Sequence, residues 1–176
     1  MPPPAKAKAV SVPAVTAPAE PVHEPVVAEA PAAPAEPPAE LPAVEAGSGR
    51  FVFDDGSTYE GDYILTRADG LKKRHGLGRF VGMHYSYDGA WANDEFHGEG
   101  VFVSADGAQY TGSLDAGAFH GARGSYRFPD GATYEGAWFR NAMHGPGHYV
   151  SPDGVLFAGE FHHGLFVRGT THVAVR

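Results

Sequence analysis

The sequence predicts an all-β protein: an elongated, single-layer antiparallel meander of stacked hairpins, preceded by a disordered Pro/Ala/Glu-rich arm. Three observations lead there. An aromatic-x-Gly triplet recurs at a spacing near 23 residues, Asp-Gly pairs stand between its copies, and composition changes abruptly at Gly47.

Residues 1–46 contain no glycine and no aromatic residue, whereas all 24 glycines and every Phe, Tyr and Trp lie beyond them. Proline recurs too often in this first stretch for a helix or an inner strand. Large apolar side chains are too few to offset the entropy of ordering the chain. Residues 1–46 are therefore expected to form an extended arm, either a solvated spacer or a segment that orders on a partner. Residues 47–168 are expected to form the repeat array, and 169–176 a tail. Proline interrupts the early apolar pieces and six Glu are spread through the arm, so no signal or transit peptide is expected. The chain has no cysteine, which fits an intracellular, cytoplasmic protein. A net charge of −8 disfavours nucleic acid and, overall, an anionic membrane.

Five copies of the triplet align: Tyr59-Glu60-Gly61, Tyr87-Asp88-Gly89, Tyr110-Thr111-Gly112, Tyr134-Glu135-Gly136 and Phe157-Ala158-Gly159. Four positions after each leading aromatic comes a second large apolar residue: Tyr63, Trp91, Leu114, Trp138 and Phe161. A His-Gly pair follows in four copies, at His75, His97, His120 and His144, the first after an insertion. Such a period marks a repeat architecture. Within one unit, Tyr134, Gly136 and Trp138 alternate onto one face of a strand, and Gly136 leaves a gap that a neighbouring side chain can fill. Arg140 to Met143 is expected to be a polar loop and His144-Gly145 a turn, with residues 147–150 as a short return strand. Ser151-Pro152-Asp153-Gly154 passes the chain to the next hairpin. About ten strands at ~4.8 Å spacing give a sheet roughly 50 Å long.

The segments YEGAWFRNAMHGPGHYVSPDG and YDGAWANDEFHGEGVFVSADG resemble the MORN repeat (membrane occupation and recognition nexus), and the resemblance covers Phe51 to about Phe166. The long first copy is similar to the opening repeat of the small animal type of this family that is numbered two. The third copy departs from the pattern, with Leu114 in an aromatic position and one extra residue in His120-Gly121-Ala122-Arg123-Gly124. The resemblance implies a non-catalytic structural or adaptor protein that binds protein partners through its sheet, most often in a ciliary or flagellar axonemal complex. The alternative it implies is a peripheral, phosphoinositide-binding membrane module or an adaptor in vesicle handling and phagocytosis.

Two groups of residues are candidates for contact. One is the aromatic strip Tyr59, Tyr63, Tyr87, Trp91, Tyr110, Tyr134, Trp138, Phe157 and Phe161, expected to hold the repeats together while leaving one side of the rings open to a partner. The other is Lys72, Lys73 and Arg74 in the insertion, either a solvated loop, or a salt-bridging neighbour to Asp69 and Asp62, or a contact for an acidic protein or a lipid headgroup. No catalytic residue, cofactor or metal is expected. Repeated Ser, His and Asp at turn positions do not converge on one pocket. Equivalent histidines of adjacent repeats lie roughly 10 Å apart, too far to share an ion. The pairs His144/His148 and His162/His163 lack a further ligand nearby in sequence.

Overall fold

The computed structural model describes residues 44–68 and 70–173. The expected disorder of the arm and the contacts of Asp69 lie outside the described residues. Eleven strands follow one another in chain order through one open antiparallel sheet: β1 (Val44–Val52), β2 (Thr58–Thr66), β3 (Lys72–Val81), β4 (Tyr85–Ala92), β5 (Glu95–Ser104), β6 (Gln109–Asp115), β7 (Ala118–Arg127), β8 (Thr133–Phe139), β9 (Ala142–Val150), β10 (Val155–His162) and β11 (Leu165–Val173). The all-β meander is as expected, with eleven strands in place of about ten. β1 begins at Val44, within the stretch assigned to the arm, and β11 continues to Val173, within the stretch assigned to the tail.

The Asp-Gly pairs do reverse the chain. Asp55, Asp106 and Asp130 each accept the backbone N–H two residues on, at 2.8, 3.1 and 3.0 Å, and each following glycine sits at positive φ. Such side-chain-capped turns are what Asp before Gly favours.

The His-Gly pairs do not. The second reversal in the four later units is a two-residue turn at Asn93-Asp94, Ala116-Gly117, Arg140-Asn141 and His163-Gly164, with both residues at positive φ. That is the turn whose twist matches flanking strands. β9 therefore starts at Ala142 and runs through His144-Gly145 without a break. The pair instead forms an arch inside the strand. In the β8–β9 hairpin Gly136 pairs with Gly147 and Trp138 with Met143, so Ala137 alone opposes His144, Gly145 and Pro146. The same three-against-one shift separates Gly61 from Tyr63 and Gly89 from Trp91, and between Gly112 and Leu114 the arch is one residue longer, with Ser113 opposing residues 120–123. Extra residues on one strand bend the sheet at that point, and Gly145 at φ 67° takes the left-handed conformation that the arch demands.

The bend creates a core within a single layer. Residues four apart on a flat strand are separated by about 13 Å, yet the Tyr87 and Trp91 ring centroids are 5.1 Å apart and Tyr87 to Phe96 is 4.3 Å. Each tyrosine lies along the strand over a pair of facing glycines: Gly61–Gly78, Gly89–Gly100, Gly112–Gly124 and Gly136–Gly147. Its hydroxyl donates to the carbonyl of the residue opposite the arch: Tyr59 to Asp62 at 2.6 Å, Tyr87 to Ala90 at 2.9 Å, Tyr110 to Ser113 at 2.7 Å and Tyr134 to Ala137 at 3.0 Å. The carbonyl exposed by the bend is thereby satisfied.

Candidate functional site: the ring face and the arches

Neighbouring units are joined by the second aromatic. The Trp91 ring meets Tyr59 of the preceding unit edge-on at 5.4 Å, and its Nε1 donates to the Gly78 carbonyl at 2.9 Å. Trp138 repeats both contacts with Tyr110, at 5.4 Å, and with the Gly124 carbonyl, at 3.2 Å. Phe161 meets Tyr134 at 5.1 Å without a donor. The two-residue turns add a backbone link, from the amides of Asp94, Gly117, Asn141 and Gly164 to the carbonyls of Arg74, Phe96, Phe119 and Met143. Each of the four later units is thus fastened to the one before it by this backbone link, and those with Trp91, Trp138 and Phe161 by a ring as well.

This geometry corrects the expectation of an open aromatic strip. Tyr59, Tyr87, Trp91, Tyr110, Tyr134, Trp138 and Phe161 are all buried, with at most 3% of their surface exposed. The rings lie down along the backbone and interleave, so their faces are spent on one another. Leu114 is buried in the same row. Tyr63 and Phe157, toward the two ends of the ladder, remain half-buried. Burial pushes the Tyr59, Tyr126 and Tyr134 hydroxyls up to about 12 and raises those of Tyr87 and Tyr110 as well.

The basic cluster divides. Arg74 is buried on the ring face, in the position held by Phe96, Phe119 and Met143 in later units. Its guanidinium stands 4.3 Å from the Trp91 ring centroid, and Nε lies 3.0 Å from the Asp94 carboxylate. Arg74 is therefore a core residue, held by an ion pair and a ring face, and is not available to an external partner. Lys72 is exposed, with Nζ 4.5 Å from the Tyr63 ring centroid and 5.3 Å from that of Phe51, so it caps the open end of the ladder. Lys73 lies beside it on the opposite face of β3, partly buried.

The opposite face of the sheet carries the arches. His97 Nδ1 lies 3.5 Å from the Asp115 carboxylate, and His120 stacks at 5.3 Å on Phe139. At the next junction His144 meets His162 at 4.9 Å and His163 at 5.4 Å between ring centroids. The expectation that these histidines lack a third neighbour is corrected here. Gly145 pairs with Phe161 across β9 and β10, so the next step of the register sets His144 against His162. The turn then brings in His163. The signal was present in the sequence as His162-His163, but it becomes readable only once β9–β10 pairing is known.

Two shallow, solvent-open depressions occur along β1 and β2, one also reaching His75 and Gly76. The first is lined by Ser48, Asp62 and His75 among others, and the Asp62 carboxylate there accepts the Leu77 amide at 3.1 Å.

Compared with known families, the chain matches the MORN repeat over residues 45–58, 87–109, 110–133 and 134–155. A search of curated proteins returns no match. The copies at Tyr59 and Phe157 fall largely outside the matched segments, yet Gly61–Gly78 and Gly159–Gly169 pair there as in the matched copies.

Proposed function

We propose that this chain, four segments of which match the MORN repeat, is a non-catalytic adaptor that holds protein partners in a larger assembly, with a ciliary or flagellar axoneme as the setting. The observation that carries this reading is the interlocked ladder. Its rings and arches produce one stiff ribbon, and among the described residues β1 and β11 each pair on one side only. A row of unpaired backbone donors and acceptors on a rigid support is a template for an added strand. β11 is exposed along nearly its whole length, which suits a partner that completes the sheet there. We take the lengthened β2–β3 hairpin as a sign of the small animal MORN type numbered two.

Crosslinking mass spectrometry on native ciliary extract tests the reading. Salt-resistant crosslinks between this chain and axonemal subunits support it. Recovery as a free monomer after a low-salt wash removes it. The membrane alternative is weaker because Arg74 is used internally and Lys72 is seated over two rings. Vesicle flotation with Lys72→Gln/Lys73→Gln distinguishes the two, since a lipid-binding role requires salt-sensitive flotation that this double variant loses.

A further inference from the structure

The junction between β9 and the β10–β11 turn departs from every other junction in the array. In two earlier units the arch histidine faces a residue that cannot complete a metal site with it: His97 faces Asp115, and His120 faces Phe139. Here the arch residue, the strand-end residue and the first turn residue are all histidine, at His144, His162 and His163. Each offers a ring nitrogen, and these nitrogens all lie within 4.8 Å of one another. His144 Nδ1 is buried and has no hydrogen-bond partner among the described residues. A buried imidazole nitrogen ordinarily has one, so this nitrogen points to a ligand from outside the chain.

We propose that His144, His162 and His163 form a binding site for a single divalent transition metal of borderline softness, with Zn²⁺ as the fitting representative. Three neutral imidazoles are a ligand set that zinc accepts, leaving a fourth position open. A tetrahedral ion with Zn–N of about 2.0–2.1 Å holds its nitrogens roughly 3.3 Å apart. The exposed His162 and His163 rings can close the remaining distance by side-chain rotation alone. The backbone is already in place. His163 stands at φ 48° in its two-residue turn, and the Gly164 amide donates to the Met143 carbonyl at 2.9 Å, which pins the turn beside His144. Phe139 walls one side, with its ring 5.6 Å from His144 and 6.4 Å from His163. The other side faces solvent, where water or a side chain of a bound protein can take the fourth position. The site would then tie β9 to β10 and to the turn that follows it, and mark one spot on an otherwise regular ribbon.

The test uses the untagged full-length chain, stripped with a chelator and titrated with Zn²⁺ by calorimetry and by competition against a chromophoric chelator. One equivalent is expected to bind. His163→Asn removes a ligand while supplying a residue that adopts positive φ readily, so the apo protein keeps its melting temperature while zinc affinity falls at least tenfold. His162→Thr does the same from the strand. His97→Gln and His120→Gln leave binding unchanged. Zinc raises the melting temperature of the parent chain and not that of His163→Asn, as mass action requires. Absence of stoichiometric binding, or binding that survives both His162→Thr and His163→Asn, overturns the proposal.

Discussion

Gly136 and Gly147 face each other across β8 and β9, and the Tyr134 ring occupies the space above both. A Cβ on Gly136 would stand 2.6 Å from the Gly147 Cα and 2.6 Å from the Tyr134 hydroxyl, and one on Gly147 would stand 2.4 Å from that hydroxyl. Gly136→Val is therefore expected to destabilise the protein by about 2–3 kcal/mol through overpacking, and Gly147→Ala to act in the same direction. Urea unfolding measures both, and a midpoint at or above that of the parent would refute the packing argument.

Tyr134→Phe keeps the ring and deletes the bond to the Ala137 carbonyl. The expected loss is about 1 kcal/mol, the usual contribution of one such hydrogen bond. The same change at Tyr87 or Tyr110 should cost a similar amount, because the bond recurs in each unit. Equal stabilities of parent and variant would mean that water satisfies the bent carbonyl equally well.

Arg74 fills a position that Phe96, Phe119 and Met143 fill elsewhere, so its charge is a local substitute for an apolar side chain. Arg74→Ala leaves a void beside Trp91 and is expected to cost about 2–3 kcal/mol. Arg74→Phe with Asp94→Asn copies the Phe119/Asn141 arrangement, in which the Asn141 side chain accepts the Phe119 amide, and removes both charges together. It is expected to be neutral or stabilising, as replacements of buried ion pairs by apolar residues often are. A thermal melt of the double variant falling below that of Arg74→Ala would show that the ion pair itself holds the first hairpin.

High pH should unfold the array. The Tyr59, Tyr126 and Tyr134 hydroxyls stay protonated in the fold up to about pH 12, whereas a tyrosine in the unfolded chain ionises near pH 10. Above that point the unfolded state binds fewer protons, so stability is complete below about pH 10 and falls as pH rises toward 12. The rise of tyrosinate absorbance should coincide with loss of strand signal in circular dichroism. Titration of all tyrosines with the sheet intact would contradict the burial described for them.

The meander was legible because aromatic-x-Gly and Asp-Gly obey local rules. Alternation places Tyr134 and Trp138 on one face, and Asp130 caps its own turn through a bond two residues away. What lay beyond reading was the consequence of a mismatch between strands. Nothing in HGPG announces that His144, Gly145 and Pro146 will oppose Ala137 alone, because that depends on which residue the partner strand presents. The arch then decides two matters at once. It folds Trp138 toward Tyr134 and so buries a strip expected to be open, and it pushes His144 outward to meet His162. Arg74 was misread for the same reason, since a Lys-Lys-Arg run resembles a solvated loop until Asp94 and Trp91 are known to close over its third member.

The tyrosine ladder also fixes where the ribbon gives way. An interior ring such as Tyr110 is stacked on Phe119 at 3.8 Å and met edge-on by Trp138 of the next unit at 5.4 Å, whereas Tyr63 and Phe157 sit toward the margins of the stack. Heating will peel strands away from the two extremities first and reach β6 last, in the manner of a zip opening from either end. Amide deuteration will accordingly run fastest in β1 and β11 and slowest around Gly112.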